Sequence, residues 1–253
     1  MEETILTWCL LLAASFLGGG LNAIAGGGSF FTFPALVYAG IPVVAANATG
    51  TLALLPGYIA STWGYREDLK APAALTMSIV IAVSVLGGAL GAFVLLTTPD
   101  EVFRAIVPWL LLLATVVFAA APWLLRAFGQ NKNAGEAGSI TQGSALAAVS
   151  VYGGYFNGGL GILLLAVFGM LGHRSINQMQ ALKNLISSVL TAIAVCVYTF
   201  GGAIVWYEAT MMMVAASIGG YVMARLARRL SPTVVRAVVI VTGAIMTTLF
   251  FMG

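Results

Sequence analysis

The sequence predicts an all-α integral membrane protein, a polytopic bundle of about eight to ten helical segments. Its composition is the first observation: 60% of the 253 residues are hydrophobic, 8% are charged and the mean hydropathy is +1.02, whereas a soluble domain carries about 25% charged residues. The second is length, because the apolar runs reach the ~20 residues that a helix needs to cross a bilayer, without the ~10-residue alternation of a barrel strand. The third is a motif of glycines and one asparagine that occurs twice, which predicts two homologous repeats.

The apolar segments fall into two sets separated by a polar tract. The first set covers 5–25, 30–39, 43–63, 71–96 and 105–125, and the second covers 144–156, 162–171, 178–200, 204–224 and 233–252. The tract between them is rich in glycine and asparagine, as a linker should be. We therefore predict one transmembrane transport domain composed of repeat 1 (1–125), a cytoplasmic linker (126–143) and repeat 2 (144–253).

The glycine motif covers 18–29 in the first repeat and 153–161 in the second. Glycine costs roughly 1 kcal/mol relative to alanine in a helix interior, so the runs of three glycines at 18–20 and 26–28 are expected to break a helix. In hydrocarbon such a break is tolerated only where protein or a water-filled cavity satisfies the backbone. Broken apolar segments at matching positions of two halves indicate the binding site of a transporter.

An offset of about 133 residues aligns the two halves. It places Gly26 on Gly159 and Gly28 on Gly161, and it places the polar cluster 47–51 on 180–184. Because these matches keep their order and nearly constant spacing, they predict an internal duplication.

The basic residues favour inverted repeats, because lysine and arginine in short loops mark the cytoplasmic side. If each glycine break is a hairpin that returns to its own side, nine of the ten basic residues outside the segments share one side and only Arg104 lies on the other. If each broken segment crosses the membrane once, six of these ten basic residues lie on one side and four on the other. We therefore predict halves that are inverted about an axis in the membrane plane, with both termini outside. Re-entrant segments, hairpins of two crossings and single kinked spans remain alternatives for the broken segments.

Polar residues inside the apolar runs mark the candidate substrate site, since an uncompensated polar group costs several kcal/mol in lipid. Some flank the glycine breaks, where the N–H groups of a following helix can face an anion. Others lie four residues apart in the next segment, and such pairs share a helix face. The predicted substrate-binding residues are Asn22, Gly26, Gly27, Gly28, Ser29, Asn47, Thr49, Thr51, Asn157, Gly158, Gly159, Gly161, Gln180, Lys183 and Asn184.

Each candidate has an ordinary alternative. Asn22, Asn157 and Ser29 could serve only to satisfy the broken backbone. Lys183 lies near the start of its segment, so its side chain could extend to the cytoplasmic interface. Otherwise Lys183 is the fixed positive charge within reach of the second break, and it would pair with an anionic substrate.

The remaining residues argue against other classes of function. All eight acidic residues lie at segment ends or in loops, so a cation would find no carboxylate in the spans, and a metal carrier would lack ligand clusters. The net charge of +3 is explained by membrane orientation, without nucleic-acid binding. A serine protease built from Ser29 and His173 would lack the GxSxG elbow and an acidic partner. We predict a small anionic solute and membrane lipid as partners, and no enzymatic activity, cofactor, metal site or nucleic acid. A homodimer remains open, without an interface signal in the sequence.

Two groups of motifs resemble the TauE/SafE family of bacterial membrane transporters, often called sulfite exporters. The run GGLNAIAGGGSFFTFP (19–34) with AANAT (45–49) is similar to the first repeat of that family. The runs GGYFNGGLG (153–161), QALKN (180–184), GGY (219–221) and ARLARRL (224–230) are similar to the second.

The resemblance implies a multi-pass carrier of the bacterial inner membrane that exports sulfite, sulfoacetate or a related organosulfonate by alternating access. Asn157 departs from the family pattern, in which a small residue, often glycine, is expected, so the substrate preference could differ. An anion channel and a carrier of another small organic anion are the alternative functions.

Overall fold

The computed structural model describes residues 2–24, 26–71, 75–129, 139–170, 175–226 and 232–252. They form α1 (Glu2–Ile24), α2 (Ser29–Tyr38), α3 (Val43–Gly64), α4 (Met77–Thr97), α5 (Asp100–Gly129), α6 (Ser139–Tyr155), α7 (Leu160–Met170), α8 (Ile176–Phe200), α9 (Trp206–Leu226) and α10 (Pro232–Met252), with a short 3-10 helix, Arg66–Asp68, after α3. Within these ranges α1, α3, α4, α5 and α8 are long and apolar enough to cross a membrane. The predicted class, a polytopic helical membrane protein, is confirmed.

The predicted linker is partly helical. α5 continues to Gly129 and α6 begins at Ser139, so both helices extend into the tract 126–143. Residues 130–138 of that tract lie outside the described residues. The division into two repeats around this linker stays a prediction.

The first glycine run does not break a helix, and that prediction is wrong. Residues 18–20 lie inside α1, and the helix ends only at Ile24. A Cβ on Gly19 would collide with the carbonyl oxygen of Ala216 in α9. Small residues allow two helix backbones to approach closely, and in a membrane such packing replaces the hydrophobic effect as the force between helices. The run therefore serves the contact between α1 and α9.

The glycines at 153–154 are used in the same way. Both lie inside α6, and a Cβ on Gly154 would collide with the carbonyl oxygen of Gly88 in α4. The breaks themselves fall after these helices, at Gly26–Gly28 and at 156–159. Each repeat motif thus combines a helix-packing part with a chain-breaking part.

At the first break the chain turns back, so that α2 lies along α1. A Cβ on Gly28 would be 2.6 Å from the carbonyl oxygen of Gly18. Leu6 near the start of α1 and Tyr38 at the end of α2 line the same groove. The ten residues of α2 span about 15 Å, roughly half of the hydrocarbon thickness. α7 likewise packs against α6 after the second break.

Helix pairing follows the same pattern in both halves of the chain. α1 packs on α9 and α6 packs on α4, while α3 contacts α9 and α8 contacts α4. The third and eighth helices also pack on each other, as do the fifth and tenth. Exchanging the first five helices with the last five leaves this pattern unchanged. The pairing is what two related repeats would produce, although the duplication and its inversion stay predictions.

The helix termini gather at two ends of the bundle. At the end that we call the first end, the backbone N–H of Val44 donates to Asp100 Oδ1 at 2.9 Å, which joins the starts of α3 and α5. Arg104 lies one turn further along α5. The opposite or second end carries Arg66 and Lys70 after α3. By the rule for basic residues, the second end is predicted to be cytoplasmic.

Candidate functional site

The two glycine breaks touch each other inside the bundle. A Cβ on Gly26 would lie 2.8 Å from Gly161 Cα, and a Cβ on Gly161 would lie 2.8 Å from Gly26 Cα. Gly26 and Gly159 have φ of +82° and +73°, in the left-handed region that favours glycine. These two residues are also paired by the predicted offset. The breaks therefore depend on glycine for both their turn and their contact.

Each break leads directly into the N-terminus of a short helix. Gly26 N–H closes the end of α1 by donating to Leu21 O and Asn22 O at 3.2 and 3.1 Å. α2 then begins at Ser29. Its N-cap residue is Gly28, which has no side chain that could cap the first N–H groups of the helix. After the second break, α7 begins at Leu160. Helix N-termini present unpaired N–H groups and the positive end of the helix dipole, which favours an anion.

Lys183 of α8 lies against the point where the breaks meet. Its side chain is fully buried, and its Cδ would be 3.3 Å from a Cβ on Gly161. Its Nζ has no hydrogen-bond partner, and within the described ranges the one ion pair is Arg66–Glu67. Lys183 thus does not extend to the membrane interface, which was its alternative role. It places a buried amino group beside two backbone turns.

Tyr58 of α3 joins the asparagines of the two breaks. Its hydroxyl donates to Asn157 Oδ1 at 3.3 Å, and the Asn22 side chain also hydrogen-bonds to this hydroxyl. All three side chains are buried. Tyr58 is not among the predicted site residues, although it lies eleven residues after Asn47, which is three helical turns along the same face.

The polar residues of α3 have different partners. Asn47 Nδ2 donates to Tyr155 O at 3.2 Å, and so it satisfies a carbonyl at the end of α6, just before the second break. Thr51 lies one turn further and is buried. The Thr49 hydroxyl instead accepts from Val205 N–H at 3.0 Å, at the start of α9. Thr49 therefore contacts the loop before α9.

A stripe of polar side chains follows one side of α8. The half-buried Gln180 and the buried Lys183 and Asn184 form its first turn, and the buried Ser187 and Thr191 continue it at helical spacing. The spacing alone could have extended the predicted set, because residues three or four apart share a helix face. Ser188, next to this stripe, bonds to Thr62 Oγ1 at 2.8 Å and joins α8 to α3.

Several buried polar atoms around the breaks lack a hydrogen-bond partner in the described part of the chain. Such atoms are costly, and most buried polar groups in proteins are paired. Those at the breaks and on α8 are Asn22 Oδ1, Asn157 Nδ2, Gln180 Oε1, Lys183 Nζ, Ser187 Oγ and Thr191 Oγ1. Four of these six atoms can donate a hydrogen bond, namely the Asn157 and Lys183 nitrogens and the two hydroxyl oxygens, and the other two are amide oxygens that accept. This set suits a ligand that accepts hydrogen bonds and carries negative charge.

The other predicted residues surround the same point. Gly27, Gly28 and Ser29 are buried at the first break, and Gly158 is buried at the second. The carbonyl of Gly158 accepts from the Tyr152 hydroxyl at 2.7 Å. Asn184 is buried on α8, and its carbonyl accepts from Ser188 Oγ at 2.8 Å.

A cavity of about 490 Å³ leads from the second end toward the first break. Gly64 and Tyr65 line its outer part, Ala23 and Ile24 line its inner part, and Gln180 lies on its wall. Lys183 is one helical turn beyond Gln180. The cavity thus extends from the basic end of the bundle to within one helical turn of Lys183 along α8.

Broken helices that meet inside an apolar helical bundle define a class, the polytopic transporters with a binding site near the middle of the membrane. Within that class the family can be stated. Residues 11–250 match the family described as "Sulfite exporter TauE/SafE", and the chain belongs to this family of membrane transporters. The resemblance found in the sequence motifs is confirmed.

The chain is also similar to several bacterial proteins over nearly its whole length. It is 25% identical over 235 residues to the "Probable membrane transporter protein ORF9" of Sinorhizobium sp, covering 92% of this chain and 88% of the relative. It is 25% identical over 237 residues to the "Probable membrane transporter protein YfcA" of Escherichia coli K12, covering 94% and 87%. A "Probable membrane transporter protein" of Haemophilus influenzae is 25% identical over 240 residues, covering 94% and 92%. No solved structure matches the chain.

Proposed function

We propose that this transporter is a secondary carrier of the bacterial inner membrane that exports a small sulfur-containing anion, such as sulfite, sulfoacetate or a related organosulfonate, and that it has no enzymatic activity. The observation that carries the proposal is Lys183. Its ammonium is buried beside the contact of Gly26 with Gly161, and no carboxylate of the described chain lies within ion-pair distance.

An anion bound at this point would balance the buried charge. Removing an ammonium from water costs several kcal/mol, and a nearby anion with additional hydrogen bonds offsets that cost. Asn157 Nδ2 is a donor without a partner, and the N-termini of α2 and α7 add backbone N–H groups. A compact oxyanion can accept hydrogen bonds from several directions, so the donor set favours it.

The sulfur chemistry rests on the family. Its printed description, "Sulfite exporter TauE/SafE", names sulfite as the solute and export as the direction. A carrier of another small organic anion would use the same ammonium and N–H groups. A carboxylate control in the binding experiment separates these two substrates.

Alternating access is supported by a difference between the two sides of the breaks. The cavity that passes Gln180 is lined by Gly64 and Tyr65 near the second end, which the basic residues predict to be cytoplasmic. Toward the first end, the Tyr198 hydroxyl donates to Gly154 O and its side chain is buried. A carrier that loads from the cytoplasm would have this arrangement before its binding site becomes accessible from the opposite side.

The binding experiment is a thermal-shift panel on the purified protein in detergent. The panel contains sulfite, sulfate, sulfoacetate, taurine, thiosulfate and acetate, each with and without sodium. We expect stabilisation by one sulfur anion, which corresponds to ~2.7 kcal/mol at a concentration one hundred times the Kd. Lys183→Met should lose this shift while it keeps its unfolding temperature without ligand, because methionine fills a similar volume without the charge.

The matched control is Lys70→Met, which removes an exposed lysine and should leave the shift unchanged. An equal ligand shift in Lys183→Met and the unaltered protein would remove Lys183 from the site. A large loss of stability in the unliganded Lys183→Met variant would instead make Lys183 a structural residue.

A channel would use the same breaks as a selectivity filter, and kinetics distinguish it from a carrier. In proteoliposomes a carrier should show saturable exchange of labelled for unlabelled anion across the membrane. Unitary currents in a planar bilayer would contradict the carrier and favour the channel.

A further inference from the structure

We propose that Lys183 also carries a proton, so that each transported monoanion crosses the membrane together with one H⁺ and the translocation is electroneutral. This inference rests on the proposed function, because the carrier must return without substrate after each delivery. In that return, a protonated Lys183 would be a charge without a protein partner. The groups that surround this side chain decide whether such a charge is balanced.

The elements that pack on α8 are α3, α4, α6, α7 and the 3-10 helix. The titratable and charged residues that they and α8 itself contribute within the described ranges are Tyr58, Arg66, Glu67, Asp68, Tyr152, Tyr155, Cys196 and Tyr198. α4 and α7 contribute none. The acidic members of this set are thus confined to the 3-10 helix after α3.

None of these groups balances the ammonium. The hydroxyls of Tyr58, Tyr152 and Tyr198 donate to Asn157 Oδ1, Gly158 O and Gly154 O. Glu67 is 86% exposed and lies 3.6 Å from Arg66. Lys183 Nζ has no hydrogen-bond partner in the described chain.

In the proposed cycle Lys183 releases its proton before the empty carrier returns, because an isolated buried charge is costly. The loaded carrier then holds an ammonium and an anion, and the returning carrier holds a neutral amine, so the protein site is uncharged in both directions. The proton enters Nζ from water on the loading side and returns to water with the anion on the other side.

This cycle has two consequences for the substrate. A singly charged sulfonate or hydrogen sulfite is carried in preference to a dianion such as sulfate or sulfoacetate, because only a monoanion is neutralised by one ammonium. Among the proposed solutes this selects hydrogen sulfite and the singly charged organosulfonates. The membrane potential does not act on the translocation, and the direction follows the summed gradients of anion and proton. Export is then driven by a high anion concentration inside.

The first test reads the protonation of Lys183 directly and needs no substrate. The chain has three lysines, Lys70, Lys132 and Lys183, so ε-¹³C-labelled lysine gives few NMR signals, and Lys183→Arg identifies the one from Lys183. We expect its shift to report a neutral amine at a pH at which the Lys70 signal still reports an ammonium. If the Lys183 signal titrates together with the Lys70 signal at high pH, the proposal is wrong.

The second test measures proton flux in proteoliposomes that contain a pH dye. The probe is methanesulfonate, which stays singly charged across the pH range used. We expect an imposed gradient of the probe to move protons in the same direction, and a potassium diffusion potential to change the rate by less than twofold. Anion flux without proton movement, or flux that rises tenfold with voltage, would overturn the coupling and leave the carrier itself in place.

Two variants locate the proton. Lys183→Arg keeps a permanent charge, so anion exchange should continue while net proton-coupled flux falls at least tenfold. Glu208→Gln is the comparison, because Glu208 Oε2 is a buried oxygen without a partner at the start of α9, and this variant should retain coupling. Coupling that survives in Lys183→Arg and disappears in Glu208→Gln would assign the proton to Glu208. If the unaltered protein shows no anion exchange, that result would instead count against the proposed function.

Discussion

On the prediction of two related repeats, the two sides of the glycine breaks are formed by corresponding helices, and the cavity of about 490 Å³ lies on one of these sides. The open side lies between α1, α3, α8 and α9, and its cavity is lined by Gly57 and Ala60 of α3. At the predicted offset, Leu190 and Ile193 of α8 take these two positions on the other side. Leu190 is fully buried there, and Ile193 Cγ2 would lie 2.9 Å from a Cβ on Gly88.

Two tyrosines extend this comparison. Tyr65 lines the cavity, whereas Tyr198, which corresponds to it at the same offset, is buried and donates to Gly154 O. If the halves are the related repeats that the sequence predicts, the cavity side and the Tyr198 side differ in side-chain size and in one hydrogen bond. Opening the closed side requires Tyr198 to leave its acceptor and α8 to move from α4 and α6.

The largest effect is expected where the two sides meet. Gly26→Ala adds a Cβ at a φ of +82° and only 2.8 Å from Gly161 Cα. The left-handed backbone costs about 1–2 kcal/mol for a residue with a side chain, and the contact with backbone atoms raises the total to about 3 kcal/mol or more. We expect a clear fall of the unfolding temperature in detergent and loss of transport in proteoliposomes.

Gly40→Ala is the matched control for Gly26→Ala. Gly40 has a φ of +85°, but a Cβ there would meet no atom within 4 Å. It should therefore carry only the backbone cost, about 1–2 kcal/mol, and retain transport. Equal losses in both variants would mean that the contact between the breaks adds nothing to stability.

The second prediction converts the open side toward the closed one. Gly57→Leu places the side chain of the corresponding residue, Leu190, into the cavity of about 490 Å³. Leucine is about 1 kcal/mol better than glycine in a helix interior, so the unfolding temperature should not fall. Transport should decrease about tenfold or more if the cavity is the route, a loss of at least ~1.4 kcal/mol in the barrier.

Gly57→Ala serves as its graded control. A Cβ at position 57 meets no atom within 4 Å, so alanine should leave most of the cavity and most of the transport rate. Wild-type transport in Gly57→Leu would show that the solute does not pass this wall.

The sequence predicted the helices well because each is a long apolar run bounded by polar or glycine residues. The predicted segment 43–63 became Val43–Gly64, and 178–200 became Ile176–Phe200. The prediction failed at Gly18 to Gly20, where intrinsic propensity was overridden by the contact of Gly19 with Ala216. That contact joins residues about 200 positions apart, and no local pattern reveals it.

The candidate site was predicted in part for a similar reason. Glycine and buried polar residues are conspicuous in an apolar segment, so Gly26, Gly161 and Lys183 could be selected and do lie together. Tyr58 was not selected, because a tyrosine in an apolar run is usually explained by packing or by the membrane interface. The partner of Thr49, the backbone of Val205, depends on tertiary structure alone.

The smallest expected effect separates the two corresponding tyrosines. Tyr198→Phe removes the buried hydrogen bond to Gly154 O, which should cost about 1–2 kcal/mol and lower the unfolding temperature by a few degrees. Tyr65→Phe should leave stability unchanged, because Tyr65 lines the cavity and has no corresponding buried bond.

The same substitution should make the closed side open more often. Accessibility is measured by labelling Ala194→Cys, which is fully buried on α8, with a membrane-impermeant maleimide, after the exposed Cys9 and Cys196 are replaced by serine. A free-energy loss of about 1.4 kcal/mol confined to the closed state corresponds to tenfold faster labelling from the first end in Tyr198→Phe, while Tyr65→Phe should label at the original rate. Equal labelling in the two variants would show that the bond from Tyr198 stabilises the fold without holding this side shut.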